Sequence, residues 1–204
     1  VLHPKDMFLF VEKQVNNQYH FGENFHTHRL LAEKKAYQKY KSSVNLDIIY
    51  DLLKDFNYDK KQCNLLKRLE LETERDFIIP RKDMLYILKQ LLSKGKRIVL
   101  ISDMYLNSRE INDLLNLCGY PLGLTIWVSS EKKADKATGT LWVKFFETVK
   151  NEKTIHIGDN EWSDVYRVKT LGHEAILVKN PYKLFTETPF FSYISKYDNG
   201  EISN

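Results

Sequence analysis

The sequence predicts an α/β protein, a parallel sheet covered by helices on both faces, preceded by an all-helical subdomain. Three observations lead there. Apolar residues recur at spacings of three and four through residues 4–77, the period of amphipathic helices. From Pro80 onward, helical patterns alternate with short apolar, β-branched runs, as in parallel sheets built from strand–helix units. Polar clusters, Ser102-Asp103, Ser129-Ser130 and Gly158-Asp159-Asn160, follow three of these runs, where the chain turns into the next helix. With 204 residues, 43% of them hydrophobic, the chain can bury one good core with a satellite but not two full-sized domains.

Taken in order, "PKDMFLFVEKQV", "NFHTHRLLAEKKAYQKY", "LDIIYDLLKDF" and "CNLLKRLELETERDF" read as helices of one bundle, broken at Gly22 and near Asn45 and Asn57. Residues 1–78 are thus expected to form the helical subdomain. The helix "KDMLYILKQLLSKG" closes at Gly95, a residue suited to the left-handed cap position, and "RIVLIS" follows as a strand. A helix from Ser108 to Cys118 closes at Gly119 and leads to the strand "LTIWVSS". Next come a helix around Leu141 to Val149, the strand "TIHI", a helix from about Trp162 to Leu171 closed by Gly172, and the strand "EAILVK". Residues 79–182 then make a Rossmann-like three-layer sandwich. A tail, 183–204, completes the chain, and the aromatic stretch "NPYKLFTETPFFSYISKY" that runs into it reads as packing.

Several function classes are disfavoured. The net charge of +4 arises from mixed signs without a block of like charge. The stretch "AEKKAYQKYK" interleaves lysine with tyrosine, but at helical spacing this is a solvated face with tyrosines at its edge, so no nucleic-acid partner is expected. His26 and His28 would point to different sides of a helix, which argues against a zinc site with His20. Cys63 and Cys118 have no metal-ligand spacing, and a reduced, cytoplasmic setting is the simpler expectation. Apolar runs such as Ile98–Ile101 fall far short of the ~18 residues of a membrane span. No basic segment precedes an apolar one in the manner of a signal peptide.

Open parallel sheets carry their chemistry at the carboxyl ends of strands. Ser102 ends "RIVLIS", and its hydroxyl with the free amides of the loop could bind an anionic oxygen. The plainer alternative is that Asp103, Asn107 or Ser108 merely caps the helix starting near Arg109. After the second strand, "EKKADKATGTLW" offers Lys132, Lys133 and Lys136. A lysine there would act as a point charge toward phosphate or carboxylate, although lysine-rich loops are ordinarily just solvated. Lys136 stands out beside the Thr138-Gly139 turn. After the third strand, "IHIGDNEWSDVYR" places Gly158 at a sharp turn, Asp159 at the strand end and Asp164 five residues on. Two carboxylates with room for water suit Mg²⁺; the alternative is that Asn160 or Glu161 caps a helix whose dipole Asp164 complements. A Ser, a Lys and a Gly-Asp with a second Asp, in that order at successive strand ends, favour a site over chance caps.

In that order, "IVLISD", "KATGTLW" and "IHIGDNEWSD" resemble motifs two, three and four of the haloacid dehalogenase-like (HAD) superfamily over about residues 80–180. The resemblance implies that Ser102 binds the transferred phosphoryl group with Asp103 beside it at the substrate. Lys136 would steady the charge, with Lys133 as substitute, and Asp159 and Asp164 would hold Mg²⁺. The N-terminal helices would be the cap that such enzymes insert between motifs one and two. The substrate implied is a small phosphorylated metabolite, such as a sugar phosphate.

One motif departs from the pattern. The nucleophile Asp of motif one has no counterpart before Pro4, where "VLH" stands, and Asp6 falls in the first helix. An aspartyl-phosphate mechanism needs that carboxylate, and the sheet needs its strand, because without it two central edges would bury unpaired backbone groups. Either "RIVLIS" and "TIHI" pair directly, or a strand carrying the Asp lies upstream of Val1, which is the expectation favoured here. The sequence most resembles a branch associated with bacterial polysaccharide and glycosyltransferase genes, in which Phe can replace the second Asp of motif one. Acid–base help would then be weak. A catalytically inactive binding or scaffold domain beside a glycosyltransferase is the alternative.

Overall fold

Four helices follow the apolar spacing of the N-terminal third: α1 (Met7–Tyr19), α2 (Phe25–Tyr40), α3 (Leu46–Leu52) and α4 (Lys60–Phe77). They belong to a computed structural model that describes residues 4–150 and 152–198. The breaks fall at the expected residues for local reasons. Gly22 has φ +96° and a Cβ there would meet Val15 Cγ1 at 3.0 Å, so both conformation and close approach call for glycine. Asn45 caps α3, its Oδ1 accepting from Ile48 N at 2.9 Å, and Asn57 takes a left-handed conformation. Asp59 and Gln62 form a capping box at the start of α4.

The chain divides into two compact units, Val1–Asp135 and Lys136–Asn204. In the first, Phe8, Val11 and Val15 of α1 pack with Phe25 and Ala32 of α2, Ile49 of α3 and Leu66 of α4 in one buried cluster. A charged group sits within it. Arg29 is fully buried and donates from Nε and Nη2 to the two oxygens of Glu70, at 2.7 and 2.8 Å, and from Nη1 to Glu33 at 2.8 Å. The Tyr50 hydroxyl donates to Glu70 at 2.6 Å. The guanidinium also lies 4.6 Å from the Phe8 ring centre and 4.9 Å from that of Tyr105.

This unit continues through α5 (Lys82–Ser93), β1 (Val99–Ser102), α6 (Ser108–Leu117), β2 (Thr125–Val128) and α7 (Ser129–Lys132). The loop after β1 enters the helical core. Leu106 and Leu114 are part of the same buried cluster, and Leu46 N donates to Tyr105 O at 3.0 Å. The expected strand "LTIWVSS" stops at Val128, because Ser129 and Ser130 already open a short helix.

The second unit holds α8 (Thr140–Thr148), β3 (Ile155–Gly158), a π-helical turn (Glu161–Tyr166), α9 (Arg167–Thr170), β4 (Glu174–Leu177), α10 (Pro181–Thr186) and α11 (Pro189–Asp198). Its strands run parallel with Gly158 opposite Leu177, as β1 and β2 do with Ser102 opposite Val128.

The α/β class with parallel strands and an N-terminal helical region is therefore what the chain adopts, with one difference from the expected sheet. The strands form two parallel pairs, β1–β2 in the first unit and β3–β4 in the second. Ile155 of β3 and Ile176 and Leu177 of β4 stay about half-exposed where covered strands were expected. Among the described residues no helix is long and apolar enough to cross a membrane.

Candidate functional site

Both readings of the acidic turn after β3 are realised, by different residues. Asn160 is the cap: its Oδ1 accepts from Trp162 N at 3.0 Å and Ser163 N at 2.9 Å. Asp159 is exposed, and its Oδ2 accepts from Asn180 Nδ2 at 2.6 Å. Asp164 turns inward. It is 2% exposed, its Oδ1 accepts from Lys136 Nζ at 2.7 Å and its Oδ2 from Asn160 N at 3.2 Å.

The backbone between these residues is a π-helix, whose wider turn is a frequent companion of functional sites. Trp142 of α8 fixes it from below by donating from Nε1 to Ser163 O at 2.7 Å. Gly158 is needed here for close approach and not for a turn. A Cβ there would lie 2.5 Å from Asp164 Cβ and 2.6 Å from its Oδ2, whereas the φ of Gly158 is not in the left-handed range.

A histidine that sequence reasoning missed completes the surroundings. His156 precedes Gly158 by two residues on β3, so both face the same side, and its Nε2 lies 3.5 Å from Asp164 Oδ1 while its ring packs edge-on to Trp142. At that distance, with no hydrogen bond formed by Nε2, the contact is electrostatic. The signal that could have found it is the period of two along "HIG". Burial alone would raise the Asp164 carboxyl pKa, but the contact with His156, the ammonium of Lys136 and the Asn160 N–H outweigh it and hold the group well below the usual carboxylate range.

Of the three lysines after β2, Lys136 meets the acidic turn. Lys132 lies over the Trp127 ring at 4.3 Å, and Lys133 is exposed at the left-handed end of α7. The Lys136 loop is tied to the π-turn at the next peptide, where Ala137 O accepts from Trp162 Nε1 at 3.1 Å and from Arg167 Nε at 2.8 Å. Gly139 N donates to Lys136 O at 3.0 Å. Gly139 has φ +87°, and the Arg167 stem packs 3.6 Å from the position of an added Cβ.

In the first unit, Ser102 closes β1 and is half-buried, and Asp103 is exposed. Neither is needed as a cap. Asn107 forms a capping box with Glu110 at the start of α6, and Glu131 accepts from Ser108 N and Oγ at 2.9 Å. Burial raises the Tyr37 hydroxyl pKa, and the negative charges of Glu33 and, less, Asp103 add to it. Among the described residues no three His, Cys, Asp or Glu side chains converge as a metal site.

No family model matches the sequence, and no curated protein matches it. Solved structures share its fold. A crystal structure of a dehalogenase with an intermediate complex aligns with a TM-score of 0.55 at 11% identity, covering 89% of this chain and 81% of that one. The 2-haloacid dehalogenase from Pseudomonas syringae pv. Tomato DC3000 aligns at 0.55 and 16% identity, covering 86% and 80%. The chain thus has a haloacid dehalogenase-like fold.

Proposed function

We propose that this chain is a Mg²⁺-dependent phosphoryl-transfer domain, a phosphatase of the HAD type acting on a small phosphorylated metabolite such as a sugar phosphate. The observation that carries the reading is the Lys136 ammonium held 2.7 Å from the buried Asp164 at the carboxyl end of β3, where Asp159 is exposed. In this reading Lys136 neutralises phosphoryl oxygens as a point charge, and Asp164 fixes its direction. Ser102 contributes its hydroxyl, with Asp103 at the substrate, as the motif resemblance implies.

Asp159 fits a magnesium ion anchored by one protein carboxylate, since Mg²⁺ keeps several waters and takes only one or two such ligands. Asp164, engaged by Lys136, fits a supporting position better than direct ligation. When bound, Mg²⁺ would supply charge neutralisation at the phosphoryl oxygens. This proposal requires a motif-one Asp upstream of Val1: its carboxylate would attack the phosphorus and release the metabolite's hydroxyl, and water would then hydrolyse the aspartyl-phosphate to inorganic phosphate. A cytoplasmic setting accords with the two free, buried thiols of Cys63 and Cys118.

A second reading is a catalytically inactive binding or scaffold domain beside a glycosyltransferase. It is favoured by the Lys136 ammonium and the buried Asp164 carboxylate engaging each other at 2.7 Å, a pair that can serve structure without chemistry. Phosphate release by the full-length protein from sugar phosphates, with and without Mg²⁺, tests the first reading. The Asp159→Asn variant should lose most Mg²⁺-dependent turnover, and equal turnover in variant and parent would sink it.

A further inference from the structure

We infer that Trp162 and Arg167 are positioning residues for Lys136, acting through the carbonyl of Ala137. The inference rests on the role proposed for Lys136 only in giving the clamp its purpose; the clamp itself is geometric. A lysine carries a flexible four-carbon stem and does not hold a direction unaided. Here the backbone beneath it is held on both sides. Its own carbonyl accepts from Gly139 N at 3.0 Å, and the next carbonyl accepts from the Trp162 indole at 3.1 Å and the Arg167 Nε at 2.8 Å.

The two donors brace each other. The Arg167 guanidinium lies 4.5 Å from the Trp162 ring centre, and Tyr166 stacks on the same indole at 4.6 Å with planes 11° apart. All three leave the backbone at or just after the π-turn that also carries Asp164. One segment thus presents the carboxylate that receives Lys136 and the donors that fix the loop from which Lys136 springs. Trp162 and Tyr166 remain half-exposed, so burial of apolar area does not by itself account for the arrangement. Gly139 fits the same device, because its left-handed φ closes the loop beside the Arg167 stem.

The test compares Trp162→Phe, Arg167→Met and Arg167→Gln in the full-length protein. Gln places an amide nitrogen where arginine has Nε, so it can keep the bond to Ala137 O; Met keeps the stem and has no donor. Acylation of individual lysines by acetic anhydride at one fixed pH is followed by mass spectrometry, with exposed Lys169 as internal reference. Loss of one bond should raise the Lys136 rate relative to Lys169 by about fivefold, the factor carried by an ordinary net hydrogen bond. Arg167→Gln should restore the parent rate. An unchanged Lys136 rate in Trp162→Phe and Arg167→Met overturns the inference, as does Arg167→Gln behaving like Arg167→Met. The readout needs no turnover, so an inactive protein would leave it intact. Protection of Lys136 in the parent by inorganic phosphate with Mg²⁺ tests the phosphoryl-transfer reading separately.

Discussion

Gly158 and Asp164 touch so closely that a single methyl group separates tolerance from strain. With the added Cβ of Gly158→Ala only 2.5 Å from Asp164 Cβ, either the strand or the carboxylate must shift. The expected cost is about 1–3 kcal/mol, typical of overpacking, read as a lower midpoint in urea unfolding. The pH dependence of Asp164 has a definite sign. Its folded-state pKa is depressed, so its contribution to stability is complete above the ordinary carboxylate range, about pH 4, and is lost as the pH falls below it. The stability margin between parent and Asp164→Asn should therefore shrink as the pH falls from about 5 to about 3; a flat difference over that span would count against the assignment. At this scale the sequence showed which residues carry charge. It did not show that Asp164 faces Lys136, because that bond joins residues 28 positions apart.

Helix ends were legible because capping is local. Asn107 and Glu110 lie three residues apart and exchange two hydrogen bonds of 2.9 Å, a pattern recognisable from residue types alone. Asn107→Ala should cost about 1 kcal/mol and accelerate amide exchange in the first turn of α6; unchanged exchange there would show that Glu131, which also accepts from Ser108 N, suffices as the cap. The π-turn at Glu161–Tyr166 was not legible. Its sequence reads equally well as an α-helix, and the choice of the wider turn accompanies long-range anchors: the Trp142 indole on Ser163 O, and the Trp162 indole on Ala137 O. Ser129 and Ser130 looked like a strand end and open the short helix α7 instead; no period in the sequence there is strong enough to decide between the two.

Across the first unit, the buried Arg29–Glu70 pair shows how far an N-terminal helix can reach. Both side chains are at most 2% exposed, and Tyr50 and Tyr105 gather round them, the latter from the loop after β1. Removing one partner of such a pair leaves an uncompensated charge. Glu70→Ala should therefore destabilise by about 3–5 kcal/mol. Hydrogen exchange should quicken not only in α1–α4 but also in α6, whose Leu114 shares their core; unaltered protection of α6 would contradict a shared core. No periodicity argument could have joined the β1 loop to the helical core, since periodicity describes one element at a time.

Read by itself, the chain determined its alternation of elements, its breaks at Gly22 and near Asn45 and Asn57, and the order of polar clusters after the strands, while leaving Asp103, Asn107 and Ser108 open as the cap of α6. These depend on neighbours within a few residues. Only the tertiary structure decided that the strands pair two by two, that Gly158 is glycine to admit Asp164, and that His156, Trp162 and Arg167 surround the Lys136–Asp164 bond and its loop. Those outcomes turn on distances of a few ångströms between remote residues, which side-chain type and spacing leave undetermined.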